Sequence, residues 1–191
     1  MPNEDNRTQI LAHALELFSK RGYDVVGIQE LVKTVGVSKP TLYHYFGSKK
    51  GLLEILIKEK LEPFKNQLAL LADYKGDLPF TLRKITEHYF NFAITEPKFC
   101  RLNLSLSFPI PENEAYLVMR PWIQAQRAIL EEMFKSASVD HGNMINRQHH
   151  FANSFLFFLN GQIALIYTEN AKVDEQLIWN TVQQFSHGIY S

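Results

Sequence analysis

Residues 27–50 read GIQELVKTVGVSKPTLYHYFGSKK. Ile28, Leu31, Val32 and Val35 recur at i, i+3, i+4 and i+7, which makes one apolar stripe on a short helix. Gly36 follows as the stop, because glycine enters the left-handed backbone region without a steric penalty. Val37 packs beneath the turn and Ser38 stands where a helix N-cap is wanted. Pro40 lies just inside a second helix, where its missing N–H costs nothing. Leu42 and Phe46 form an inward i, i+4 pair. Lys39, Thr41, Tyr43 and His44 are left pointing outward. Two short helices about a tight turn, the second with a polar and aromatic outer face, make a helix-turn-helix suited to a DNA major groove.

Upstream, residues 8–21 form an amphipathic helix with Ile10, Leu11, Ala14, Leu15, Leu17 and Phe18 on one face, ended by Gly22. It closes a three-helix domain over residues 1–50. The segment from Asn3 to Asn6 holds Glu4 and Asp5, the wrong sign for an arm entering a minor groove. Downstream, Ser48 caps a helix reaching about Tyr74. Lys49 and Lys50 in its first turn oppose the helix dipole, a placement that a docked phosphate makes favourable. Pro63 is expected to kink it. Asp77 caps the next helix, residues 78–95, and Pro97 restarts another through Leu106. The two prolines in 108–111 predict a loop. Residues 112–136 are helical with a kink or break at Pro121, His141 to Asn143 turn, and residues 143–169 form a long helix. Asp174 caps the last helix, which carries Ile189 and is braked by Gly188. The chain is therefore all-α, with about nine helices and no convincing strand.

The motif residues resemble the DNA-binding segment of the TetR family of bacterial one-component transcriptional regulators: Gly22-Tyr23, Leu31, the run from Gly36 to Phe46, Lys49 and Leu52. A generic helix-turn-helix rarely has all of these together. The resemblance implies that residues 51–191 are a helical effector-binding and dimerisation domain. It also implies that Lys39, Pro40 and His44 face bases while Ser38, Thr41, Tyr43 and Lys49 meet phosphates. Gly27 departs from the pattern, standing where the family usually places a Thr or Ser cap. By the same resemblance the partners are a palindromic double-stranded DNA operator, a small-molecule effector and a second copy of the chain. The expected function is a repressor released by a small, largely hydrophobic effector.

Composition neither adds to this nor opposes it. The 191 residues carry 20 Lys and Arg against 20 Asp and Glu. Six of the positive charges but only two of the negative ones fall within residues 33–60, a modest basic patch beside the motif. A polar N-terminus without an apolar core, and no apolar run near the ~20 residues that span a bilayer, point to a cytoplasmic protein without membrane association. Cys100 is the one cysteine, so no internal disulfide framework exists. His141, His149, His150 and Cys100 have no metal-ligand spacing, and no phosphate loop or nucleophile elbow occurs. No cofactor, metal or catalytic site is expected.

Aromatic, sulfur and polar side chains are dense in the middle helices, and His88, Phe92, Cys100, Met119, Trp122, Gln126 and Phe155 are the candidate lining of an effector cavity. The segment 151–167 is apolar on too many sides for a helix with one wet face. Phe157, Asn160, Gly161 and Ala164, with Ile178, Val182 and Phe185 of the last helix, are the candidate two-fold interface. Two other readings stand beside this one: an all-helical small-molecule-binding protein or enzyme with a non-functional DNA motif, and a protein-interaction module built on the same scaffold.

Overall fold

The computed structural model describes residues 4–107 and 112–187. The loop expected at 108–111, Asn3, the brake at Gly188 and the apolar Ile189 lie outside the described residues. The elements are α1 (Glu4–Arg21), α2 (Ile28–Val35), α3 (Lys39–Phe46), α4 (Lys49–Leu71), α5 (Leu78–Thr95), α6 (Pro97–Ser107), α7 (Glu114–Ala137), a 3-10 turn (Gly142–Met144), α8 (Gln148–Glu169) and α9 (Glu175–His187). No strand occurs among the described residues.

Most boundaries follow from caps visible in the sequence. Asp77 accepts the Phe80 N–H at 2.9 Å, and Asp174 accepts the Leu177 N–H at 3.0 Å. Three boundaries differ from the sequence reading. The first helix begins at Glu4 rather than Thr8, with Gln9 donating to Asp5 across its first turn. The long helix near the C-terminus begins at Gln148 rather than Asn143, because Gly142–Met144 is a 3-10 turn and Asn146 has a positive φ of 62°. Pro121 does not break α7, which is continuous from Glu114 to Ala137.

The chain divides into two compact units. The first comprises Met1–Glu62 and Glu96–Pro121, and the second Pro63–Thr95 and Trp122–Ser191. The division read at 50/51 therefore falls inside the continuous α4, and the first unit also takes in α6 and the start of α7. In this unit α1 packs on α2, α3 and α6. Ile10, Ala14 and Phe18 of α1, Leu31 and Val32 of α2, Leu42 and Phe46 of α3, and Phe99 and Leu102 of α6 are all buried. Each of the Ile, Leu, Val and Phe side chains contributes about 1.5–3 kcal/mol through burial.

On the surface between α1 and α6, Glu16 pairs with both Lys20 and Lys98. Hydrogen bonds from Lys20 and then Lys98 hold its carboxyl down from the ordinary 4.5 to about 2. A carboxyl depressed in the folded state contributes stability above its unfolded pKa and loses it as pH falls toward the folded value. Thermal midpoints measured between pH 5 and 2 should therefore fall less steeply for Glu16→Gln than for the wild type. Parallel curves would show that the two lysines contribute nothing.

The second unit is built from α5, α8, α9 and the parts of α4 and α7 that extend into it. Here α5 packs on α8 and α9. Phe155 of α8 meets Phe134 edge-on at 6.3 Å and Phe185 of α9 at 4.7 Å. The Tyr167 hydroxyl donates to the Ala93 carbonyl at 2.8 Å.

Candidate nucleic-acid interface

α2 ends where Gly36 adopts φ 76°, and the N–H groups of Gly36 and Val37 both reach the Val32 carbonyl, at 2.9 and 3.0 Å. Ser38 is extended and its hydroxyl accepts the Thr41 N–H at 3.3 Å, while lying 2.8 Å from the Thr41 hydroxyl. That cap turns Lys39 and Pro40 into the first turn of α3. Leu42 and Phe46 are buried beneath the helix, Lys39, Pro40, Tyr43 and His44 are exposed, and Thr41 is half-buried. The outward set read from the sequence thus shares one wet face of an eight-residue helix. Gly27 caps α2 without any side-chain hydrogen bond, as the missing Thr or Ser implies.

The turn after α3 is tighter than the sequence suggested. Gly47 adopts φ 70° and its N–H reaches the Tyr43 carbonyl at 2.8 Å. The Ser48 N–H donates to the Phe46 carbonyl at 2.8 Å, and the Ser48 hydroxyl accepts the Gly51 N–H at 2.9 Å. A Cβ on Gly51 would lie 2.1 Å from the Phe46 carbonyl oxygen. Gly51 is thus a residue on which the placement of α3 depends, and the sequence reading did not single it out.

Lys49 is placed otherwise than expected. Its ammonium lies 4.0 Å above the Tyr23 ring and donates to the Asp24 carbonyl at 3.3 Å. Loss of solvent holds its pKa below the ordinary lysine value. The side chain is turned onto the bend between α1 and α2, so a phosphate would have to compete with these partners. Lys50 beside it is exposed and lies 3.7 Å from Glu54.

The effector candidates separate into two groups. His88, Phe92, Trp122, Gln126 and Phe155 belong to the second unit, whereas Cys100 and Met119 are buried in the first. Three of the five, His88, Phe92 and Gln126, contact Phe64 or Tyr89, two residues absent from the candidate set, and Trp122 joins them only through its carbonyl. The Phe64 ring stacks on His88 at 4.3 Å and tilts against Phe92 at 4.7 Å. His88 Nε2 donates to the Phe64 carbonyl at 3.0 Å, and burial pushes its pKa down, which keeps the ring neutral. Tyr89 donates to Gln126 at 2.8 Å, and Gln126 in turn donates to the Trp122 carbonyl at 3.2 Å. Phe155 instead joins the Phe134 and Phe185 rings. The signal for Tyr89 was its place four residues after Ile85 on the buried stripe of α5. A polar ligand group entering here would exchange with hydrogen bonds already made.

No group of three His, Cys, Asp or Glu among the described residues could hold a metal ion. No helix among them is long and apolar enough to cross a membrane.

The description "Bacterial regulatory proteins, tetR family" matches residues 10–56, which run from α1 into α4 and contain the whole helix-turn-helix. Over these residues the chain is similar to the tetR family. It is 29% identical over 140 residues to the HTH-type transcriptional activator FasR of Mycolicibacterium smegmatis, a match spanning 73% of this chain but 60% of that protein. The fold matches a transcriptional regulator FadR from Bacillus subtilis in complex with stearoyl-CoA, with a TM-score of 0.76 at 18% identity over 96% of this chain and 99% of the other. It also matches AibR in complex with isovaleryl coenzyme A and operator DNA, with a TM-score of 0.70 at 23% identity over 93% and 96% of the two chains.

The candidate dimer residues fall on two faces. Phe157 and Gly161 are exposed, and Ala164 is half-buried. Asn160, Ile178 and Val182 are buried against their own chain and so offer no outer surface. Phe185 is half-buried and packs on Phe155 and Phe158. The outer apolar groups are instead Phe157 and Leu165 of α8, on either side of Gly161, and Trp179 of α9. The unusual apolarity of α8 thus resolves into an inward stripe (Phe155, Leu156, Leu159, Ile163 and Ile166) and a second, outer one.

Proposed function

We propose that this chain is a sequence-specific DNA-binding transcriptional regulator acting as a homodimer, a repressor released by a small, largely hydrophobic effector. The observation that carries the reading is the face of α3, where Lys39, Pro40, Tyr43 and His44 stand exposed over the buried Leu42 and Phe46. In this reading residues 1–50 read DNA. Lys39, Pro40 and His44 reach base edges, where a lysine can bond guanine acceptors, while Ser38, Thr41 and Tyr43 meet phosphates. Lys49 reaches a phosphate by leaving Tyr23. Residues 51–191 take the effector and the second subunit, and the protein works in the cytoplasm with no catalytic step of its own.

The effector region is assigned to the aromatic cluster of Phe64, His88, Tyr89, Phe92, Trp122 and Gln126. Acyl-CoA thioesters are the first ligands to titrate, because two proteins of this fold are described with them. To favour release, such a ligand must bind more tightly to the state whose two recognition helices no longer match successive grooves.

Tyr43→Phe tests the site. With a duplex recovered by selection, affinity should fall about 10-fold, the loss of one hydrogen bond to a charged group. Because the hydroxyl is neutral, the slope of log affinity against log salt should not change. Unchanged affinity would remove Tyr43 from the interface.

A further inference from the structure

α7 opens with two residues that hold the DNA-reading unit. Asn113 caps the helix, its Oδ1 accepting the Tyr116 N–H at 3.1 Å, and its Nδ2 donates to the Asp24 carboxylate at 2.8 Å. Glu114 Oε1 accepts the Tyr23 phenol at 2.6 Å. Two consecutive residues at the start of α7 therefore clasp two consecutive residues in the bend between α1 and α2. Tyr23 and Asp24 are also the two residues that hold Lys49, one through its ring and the other through its carbonyl. Lys49 opens α4 immediately after the tight turn that ends α3. The clasp, Lys49 and the end of the recognition helix thus form one connected set, all within the first compact unit.

The clasp is built into the fold. Tyr23 is buried and its ring meets Phe18 at 5.2 Å. Burial and Glu114 together raise its pKa, so the phenol remains a donor at any working pH. Asn113 serves as cap and tie at once, which fixes the direction of its amide. Beyond the clasp, α7 continues unbroken past Pro121, where the first unit ends, just as α4 continues past Glu62.

We propose that Asn113 and Glu114 are positioning residues for operator binding: by clasping Tyr23 and Asp24 they set Lys49 and the α3–α4 turn, so that α7 as well as α4 carries the state of the rest of the chain to the DNA reader. The inference rests on the DNA-binding function proposed above and adds its regulation.

The test uses the full chain and a duplex selected by the wild type, with Tyr23→Phe, Glu114→Ala, their double variant, Glu114→Gln and Asn113→Ser. The glutamine keeps an acceptor for the phenol, and the serine keeps a cap while dropping the amide donor. Tyr23→Phe, Glu114→Ala and Asn113→Ser should each weaken binding about 5- to 10-fold, and the double variant should be no weaker than its parents because both remove one bond. Glu114→Gln should return to within about twofold of the wild type. Circular dichroism melts check that each variant is folded at the assay temperature. Single variants that bind as the wild type does would overturn the inference. So would losses that multiply in the double variant, or a glutamine as weak as alanine. A wild-type chain that selects no duplex would instead overturn the DNA-binding function itself, before any variant is compared.

Discussion

Gly161→Arg should sediment as a monomer and bind the selected operator at least about 100-fold more weakly than the wild type, the lower end of what joining two binding modules contributes. Gly161 is exposed, and a Cβ built on it meets nothing within 4 Å beyond the adjacent backbone of its own helix. An arginine there should therefore leave the subunit fold intact. It also replaces a mid-helix glycine, which by itself favours the helix by up to about 1 kcal/mol. The only surface it disturbs is the outer face of α8, between Phe157 and Leu165. If a second copy covers that face, the guanidinium is buried without a partner, which a dimer does not tolerate. Loss of the dimer then costs operator affinity, because two recognition helices no longer bind successive grooves as one unit. Sedimentation velocity and operator titration measure the two effects separately. A persisting dimer would move the interface to another face.

Gly51→Ala should lower the thermal midpoint by about 4–8 °C and weaken operator binding with it. Helix propensity alone predicts the opposite sign, since alanine is better than glycine inside a helix by about 1 kcal/mol. The local geometry outweighs this. The new Cβ would stand 2.1 Å from the Phe46 carbonyl oxygen and 3.3 Å from its carbon. That carbonyl is held at 2.8 Å by the Ser48 N–H and belongs to the last residue of the recognition helix, so neither side can yield without moving backbone. Overpacking costs about 1–3 kcal/mol and more against rigid atoms, and each kcal/mol is about 2–4 °C for a chain of this size. A midpoint that rises would show that α3 and α4 are joined more loosely than described.

The motif was legible because nearly every position in it has one physical task. Gly36 must be left-handed, Ser38 must cap, Pro40 must sit in a first turn, and Leu42 and Phe46 must face inward. Such local requirements leave a trace in a short window. The start of α8 left none, because the 3-10 turn at Gly142–Met144 and the positive φ of Asn146 have no strong sequence signal. For α8 itself the excess of apolar residues was plain, but composition could not assign them to faces. Asn160 therefore entered the dimer set although it is buried inside its own chain. Aromatic density likewise marked the proposed effector region without showing that Phe155 joins the Phe185 cluster rather than His88. The inward turn of Lys49 and the clasp on Tyr23 were beyond reach. Glu114 is 91 residues from its partner, and no periodicity reports a contact at that separation.

The most direct measurement is selection of bound duplexes from a random DNA pool at moderate salt, with the wild-type chain. The account predicts a recovered palindrome whose half-sites lie about one helical turn or more apart, bound by a two-fold protein. Recovery of no common sequence, with binding lost on a modest rise in salt, would contradict it: the exposed face of α3 would then contribute only nonspecific charge.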